Sequence, residues 1–405
     1  MGNYPSTVDM KVFIDKRNNK VMFAEANEDF VEILFSFFTL PLGTIARLSR
    51  NSDHPNPRIK VGSLSSLYDS AMWNIRFTHF SDELCRDVLA NPVNSSAALC
   101  EKLRLNLNDN SASVNSRDQR EAVFVKKKGS FIITDDLCIT PFLLDRYIEL
   151  RNSFGVEDND LLVRYFLFDL NQFVNLLKWS LLTNNPLTTL VNGGSKPSPC
   201  SSCIEDATLD NLSSLFSNSA QPHSRVKFLI HKSKKKVLCA EVDNSFVEML
   251  LSFLTIPLAA VKVLTKDTSS PVAINNLYKS ISALGDENYL KSDDIKNMLL
   301  SPKLASIYFH ATDLLPIYEK GITQGSFLKE QATFIVSDDL KIELSSFYPT
   351  LWIHTRDIPA DDIKIVEMSI GEPHALMILK ASLTSTSALT DCLNAFWKNS
   401  KAKST

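Results

Sequence analysis

Two pairs of adjacent carboxylates, Asp135-Asp136 and Asp338-Asp339, are the residues of this chain with the most obvious capacity for chemistry, each closing an apolar run, FIITDDL and FIVSDDL. Paired carboxylates can hold a divalent cation or act as general acid and base. Neighbouring residues of a strand, however, point to opposite faces, and aspartate readily hydrogen-bonds its own turn backbone. The spacing therefore favours a turn role over a cation site at both pairs.

Two basic clusters come next: Lys16, Arg17 and Lys20 in KRNNK, and Lys234, Lys235 and Lys236 in KSKKK. Either could meet phosphates or an acidic partner. A charged hairpin tip is favourable in water without any ligand, and that reading is preferred here and for Lys126, Lys127 and Lys128. Cys200 and Cys203 have a redox or half-zinc spacing, but no second pair lies within finger distance and the flanking sequence reads as linker. The seven histidines form no HxH or HExxH spacing, and the nucleophile-elbow, P-loop and dinucleotide-binding glycine patterns do not occur. The residues thus nominate no catalytic group, no metal site and no cofactor. Gly2, in MGNYPS, fits an acceptor for myristoylation, though a single acyl chain without a polybasic patch would give only weak membrane contact.

Composition bounds the class. A formal net charge of −3, with 22% charged and 44% hydrophobic residues, is that of a globular protein with no general attraction for nucleic acid. The segment from Phe30 to Leu48 is the most apolar, but Glu32, Pro41, Gly43 and Arg47 interrupt it, so no transmembrane span is expected. Seven dispersed cysteines and an N-terminus without a charged-then-apolar leader give the expectation of a cytoplasmic protein, with the nucleus as the second choice. At 405 residues the chain exceeds what one hydrophobic core commonly organises.

An internal repeat organises these residues. Val12 to Gly43 aligns with Phe228 to Ala259 without a gap at an offset of 216, with 15 of 32 positions identical. Further blocks follow in order: Leu67, Tyr68 and Ser70 match Leu277, Tyr278 and Ser280, the FIITDDL and FIVSDDL runs match, and Lys178 to Asn192 matches Lys380 to Asn394. The offset shrinks across Ser49 to Lys60 and across Asn106 to Ser116, both loop-like in composition. The division expected is a first unit over 1–194, a Ser/Pro-rich linker over 195–224 in which Leu209, Leu212, Leu215 and Phe216 suggest one short docking turn, and a second unit over 225–405.

Each unit opens with two β-rich runs around a polar turn, Lys11 to Glu25 and Val226 to Glu241. A buried helix follows, its start marked as a capping box by Asp29 and Glu32 in one copy and by Ser245 and Glu248 in the other. Helical patterns cover Leu64 to Arg76 and Ser81 to Leu89, with counterparts at Asn276 to Leu284 and Asp293 to Leu300. A β pair is expected over Ala122 to Lys127 and Ser130 to Thr134, mirrored by Ser326 to Lys329 and Ala332 to Ser337. A strand at Leu161 to Phe168 or Ile363 to Ser369 and two closing helices complete the unit. Without a regular βαβ alternation, the class is α+β: two homologous tandem units, each opening with a β-hairpin followed by a buried helix.

The blocks KVMFAEANEDFVEILFSFFTLPLGTIARL, KVLCAEVDNSFVEMLLSFLTIPLAAVKVL, FIITDDLCITP, FIVSDDLKIEL and LKASLTSTSALTDCL together resemble the plant family catalogued as domain of unknown function 674. The resemblance spans almost the whole chain and implies a plant protein with the domain in tandem, with no activity or catalytic residue to transfer. Family members often carry a cysteine-rich segment before the VTDDL block; Asn106 to Lys128 contains no cysteine, so no metal role is expected for it. The function expected is a non-enzymatic interaction or scaffold module with a protein partner. The alternative is an enzyme or metabolite binder with its site between the two units, built on the four aspartates.

Overall fold

The structure, a computed structural model, describes residues 7–50, 60–108, 122–126, 129–155, 160–194, 224–265, 271–304, 314–315, 325–329, 332–345 and 354–402. In chain order the N-terminal half contains β1 (Val8–Asp15), β2 (Lys20–Ala26), α1 (Glu28–Ser36), α2 (Leu42–Arg50), α3 (Leu64–Asp69), α4 (Glu83–Ala90), α5 (Ala97–Cys100), β3 (Phe131–Thr134), β4 (Ile139–Pro141), α6 (Leu144–Phe154), β5 (Leu161–Phe168), α7 (Leu170–Leu182) and α8 (Pro186–Val191). The C-terminal half contains β6 (Ser224–His231), β7 (Lys236–Val242), α9 (Asn244–Phe253), α10 (Leu258–Thr265), α11 (Val272–Asp286), α12 (Asp293–Leu300), β8 (Phe334–Ser337), β9 (Ile342–Leu344), β10 (Ile363–Ile370), α13 (Glu372–Thr384) and α14 (Ala388–Ala402). Each half forms one antiparallel five-stranded sheet, ordered β4-β3-β2-β1-β5 and β9-β8-β7-β6-β10. Helices and antiparallel sheets together make the chain an α+β protein.

The hairpins form because period-two burial sends Val8, Met10, Val12 and Ile14 to one face of β1 and Val226, Phe228 and Ile230 to one face of β6. Asn19 and Lys235 take the positive φ that the turn demands. Helix α1 buries every residue from Phe30 to Ser36, and the hydroxyls along it are satisfied within the helix: Ser36 donates to the Ile33 carbonyl and Thr39 to the Ser36 carbonyl. The N-caps are Asn27, which accepts from the Phe30 amide, and Asp243, which accepts from the Phe246 amide. The capping boxes expected at Asp29 and Ser245 therefore do not form. Asp29 instead pairs with Arg104 at 2.9 Å, and Glu32 and Glu248 have other partners, described below.

The two halves exchange their middle segments. At the seam Pro41 faces Pro257 in an antiparallel bridge, with Leu42 N donating to Ile256 O at 2.9 Å, Leu258 N to Leu40 O at 3.0 Å and Gly43 N to Leu254 O at 2.7 Å. The expected second β pairs are corrected here. Residues 122–126 do not pair with β3; Val125 bridges Leu290 of the opposite half, and Leu328 bridges Phe80 in the reciprocal arrangement. An extended segment with unpaired amides takes whichever sheet-like partner lies beside it, and the exchanged helices put the opposite half there. Helix α11 packs on β4 and α7 of the N-terminal half, while the turn following α3 packs on β9 of the C-terminal half. The main apolar cluster accordingly runs from Val8 to Leu393 and is fed by both sheets, with two smaller clusters apart from it around Phe13 and Phe23 and around Leu229 and Cys239. Helix α6 and the short strands β4 and β9 were not anticipated from sequence. α6 buries no residue fully, and three-residue strands carry too little pattern to register.

Candidate functional site

The four aspartates sit at the turns closing β3 and β8, and the two members of each pair face different tasks. Asp135 accepts from the Thr188 amide at 2.8 Å and the Thr188 hydroxyl at 2.7 Å, tying the strand end to the first turn of α8. Asp338 does the same for Thr390 at 2.7 and 2.9 Å. The same threonine hydroxyls accept from the amides of Val21 and Val237, each at 2.8 Å, so strand, hairpin and closing helix meet on one side chain. Burial raises the carboxyl pKa of both Asp135 and Asp338, opposed by the Thr188 and Thr390 donors.

The second aspartate of each pair crosses the seam. Asp136 accepts from Asn276 of α11 at 2.8 Å and from the Thr134 hydroxyl, and Asp339 accepts from Ser66 of α3 at 2.7 Å and from Ser337. Burial works to raise the Asp339 carboxyl, but the donors Ser337 and Ser66 outweigh it and hold it below its ordinary value. One turn further along the same helices, Ser280 accepts from Ile139 N and Ser70 from Ile342 N, both at 2.8 Å. Leu137 and Leu340 follow the pairs with φ of 59° and 62°, a left-handed conformation uncommon for leucine. Their side chains are fully buried, which is what holds the turn in that form.

Each basic cluster lies at the same end of its sheet as an aspartate pair. Lys20 lies near enough to Asp135 to offset part of the rise that burial causes, and Lys236 pairs with Asp338 at 3.6 Å. Arg17 pairs with Asp160, while Lys16, Lys234 and Lys235 are exposed. Of the triple lysine, Lys126 is described and donates to Asn288; Lys127 and Lys128 lie outside the described residues, as do Gly2, Cys200, Cys203 and residues 195–223.

Sequence reasoning gave the shared glutamates to helix caps and so missed their role. Glu32 is buried and accepts from the amides of Phe124 at 2.5 Å and Val125 at 2.9 Å; Glu248 accepts from Phe327 at 3.0 Å and Leu328 at 2.7 Å. Each glutamate thereby grips the strap that reaches the other half, where Lys126 N donates to Tyr289 O and Ser81 N to Phe327 O, both at 2.8 Å. Burial pushes Glu32 up to about 7, against the pull of the Val125, Phe124 and Val123 amides and with a smaller push from Asp29. The pairing of Glu32 with Glu248 in the repeat was the available signal; the partner segment, far along the chain, carried none.

Three further buried groups carry shifted titrations. Lys178 of α7 is buried, which lowers its amine to about 8. Burial pushes the thiols of Cys239 and Cys392 up to about 12, far from the thiolate form that reacts. Among the described residues, no three His, Cys, Asp or Glu side chains are grouped to hold a metal ion. No described helix is long and apolar enough to cross a membrane.

Two antiparallel sheets, joined through exchanged helices and clasped by reciprocal carboxylate contacts, define the class: a two-sheet α+β protein with one shared core. The chain belongs to the family described as protein of unknown function (DUF674), whose model matches residues 5–115, 110–324 and 316–405. Neither a curated protein nor a solved structure matches it.

Proposed function

We propose that the chain is a non-enzymatic interaction or scaffold module: a tandem repeat of one unit, closed into a single body, that presents its outer surface to a protein partner in the plant cytoplasm. The observation that carries this reading is the use made of the shared carboxylates. Asp135, Asp136, Asp338, Asp339, Glu32 and Glu248 each accept hydrogen bonds that hold strands, helices and straps in place. What the repeats have in common is thus spent on architecture, and recognition falls to surface positions at which they differ. The reading of an enzyme or metabolite binder drew on the aspartates, and their committed oxygens take that support away.

Native mass spectrometry of the full chain, purified gently from source tissue, tests the reading. The expected result is a protein complex whose mass exceeds that of the chain by a polypeptide. A small excess mass lost on denaturation would instead mean a retained metabolite or metal and would overturn it.

A further inference from the structure

We propose that Trp73, Phe77 and Arg86 form a docking site for an acidic peptide segment of a protein partner, an inference that specifies the surface used in the interaction reading above. Trp73 is 70% exposed and Phe77 43% exposed, a cost in apolar surface left in water that clustering makes hard to treat as incidental. The backbone displaying them is irregular: Ile75 N donates to Ser70 O at 3.0 Å, an i to i+5 bond that closes a π-helical turn over Ser70–Asn74. Such turns recur at functional sites.

The C-terminal half supplies an internal control. The equivalence at an offset of 210 holds in space, since Tyr68 donates to Ala90 O and Tyr278 to Leu300 O, both at 3.2 Å, and Asp82 and Ser292 cap equivalent helices. Ala283 and Glu287 stand where the N-terminal half has Trp73 and Phe77, and α11 runs on as a regular helix. The fold therefore requires neither the aromatic rings nor the π turn.

The chemistry of the partner follows from the arginines. The guanidinium of Arg86 lies 5.9 Å from the Trp73 ring and 5.7 Å from Phe77, and Arg50 lies 5.9 Å from Trp73. Arg50 is ion-paired with Asp69, whereas Arg86, oriented by two rings and by its bond to Met72 O, keeps further N–H donors in a planar fork suited to a carboxylate. Arg76, exposed and adjacent to Phe77 in the chain, adds positive charge. Glu83 and Asp87, both exposed, share α4 with Arg86 and make the charge of this surface mixed. A discrete Asp or Glu beside a large apolar residue fits this mixed surface better than a continuous phosphodiester backbone, and Trp with Arg is the composition of interface hot spots.

A random library of twelve-residue peptides panned on the full chain tests the proposal. Enriched peptides are then measured by fluorescence anisotropy against the full chain, against a double variant carrying Trp73→Ala and Phe77→Glu, and against Arg86→Lys. Enriched sequences should carry Asp or Glu next to a large apolar residue and lose affinity roughly tenfold or more in the double variant, the scale of a hot-spot truncation. Arg86→Lys should weaken them too, while the thermal midpoint of each variant stays that of the parent. No enrichment, equal binding to the double variant, enrichment without acidic residues, or tighter binding of a twelve-nucleotide single-stranded RNA at these residues would each overturn the site. If the double variant still assembles with its partner by native mass spectrometry, the interaction reading stands and this surface is not its seat.

Discussion

At the residue scale, the side chains with the greatest leverage are carboxylates aimed at backbone amides. Replacing Glu32 by Ala would leave the amides of Phe124 and Val125 buried without an acceptor, at roughly 1–3 kcal/mol each, visible as a lowered urea midpoint. Glu32→Gln keeps an acceptor and removes the titration. Because the folded-state value of about 7 lies above the ordinary 4.5, the folded chain holds a proton between those pH values that the unfolded chain releases. Stability should therefore fall as pH rises through that window and level out above it, by at most about 3 kcal/mol from this residue. Unfolding curves at pH 5, 6 and 7.5 should show that slope in the parent and a flatter one in Glu32→Gln. Across the seam, a double-mutant cycle on Asp136→Ala and Asn276→Ala should return a coupling of about 0.5–3 kcal/mol; additive losses would mean that the contact does not hold the halves together.

At the element scale, two glycines let helices approach more closely than any side chain would permit. Gly62 has a φ of +46°, and a Cβ there would lie 2.5 Å from Ser382 O at the end of α13. Gly43 sits where a Cβ would be 2.9 Å from Leu254 O, the acceptor of its own seam hydrogen bond. Gly62→Ala should cost more than about 1 kcal/mol, since both the backbone conformation and the contact resist it, and thermal unfolding would show it. An unchanged midpoint would mean that α13 can shift freely. The seam position Gly43 aligns with Ala259 in the repeat, so the demand for glycine is not a property of the shared unit. It arises from what the other half places beside it.

At the scale of the whole molecule, one continuous core and reciprocal straps make the chain a single cooperative body. Calorimetry should show one transition with matching calorimetric and van't Hoff enthalpies, where independent halves would give two. A protease site introduced within residues 195–223 and then cut should leave both pieces co-eluting at the size of the intact chain, because the seam rather than the connection holds them. Separation of the pieces without denaturant would refute that account.

The sequence by itself determined much of this. Period-two runs placed the hairpins and helical periodicity the closing helices near their observed bounds, because each buries an apolar pattern along contiguous residues; β5 and β10 were legible from their β-rich composition alone, since each buries only its last residue fully. The turns after β3 and β8 were legible because an apolar run ends there in two aspartates, but their donors were not: Asp135 and Asp338 accept from Thr188 and Thr390, far along the chain, rather than from their own turn backbone. What the tertiary structure decided was which half each group serves. Glu32 sits in an ordinary helix-start context, and only the arrival of residues 123–125 from far along the chain makes it a strap anchor. Asp136 and Asp339 look identical to their neighbours in sequence yet reach across the seam to Asn276 and Ser66. Local pattern encodes burial and turn geometry, whereas exchange between halves rests on contacts between residues far apart in sequence, and no local pattern records which partner closes a core.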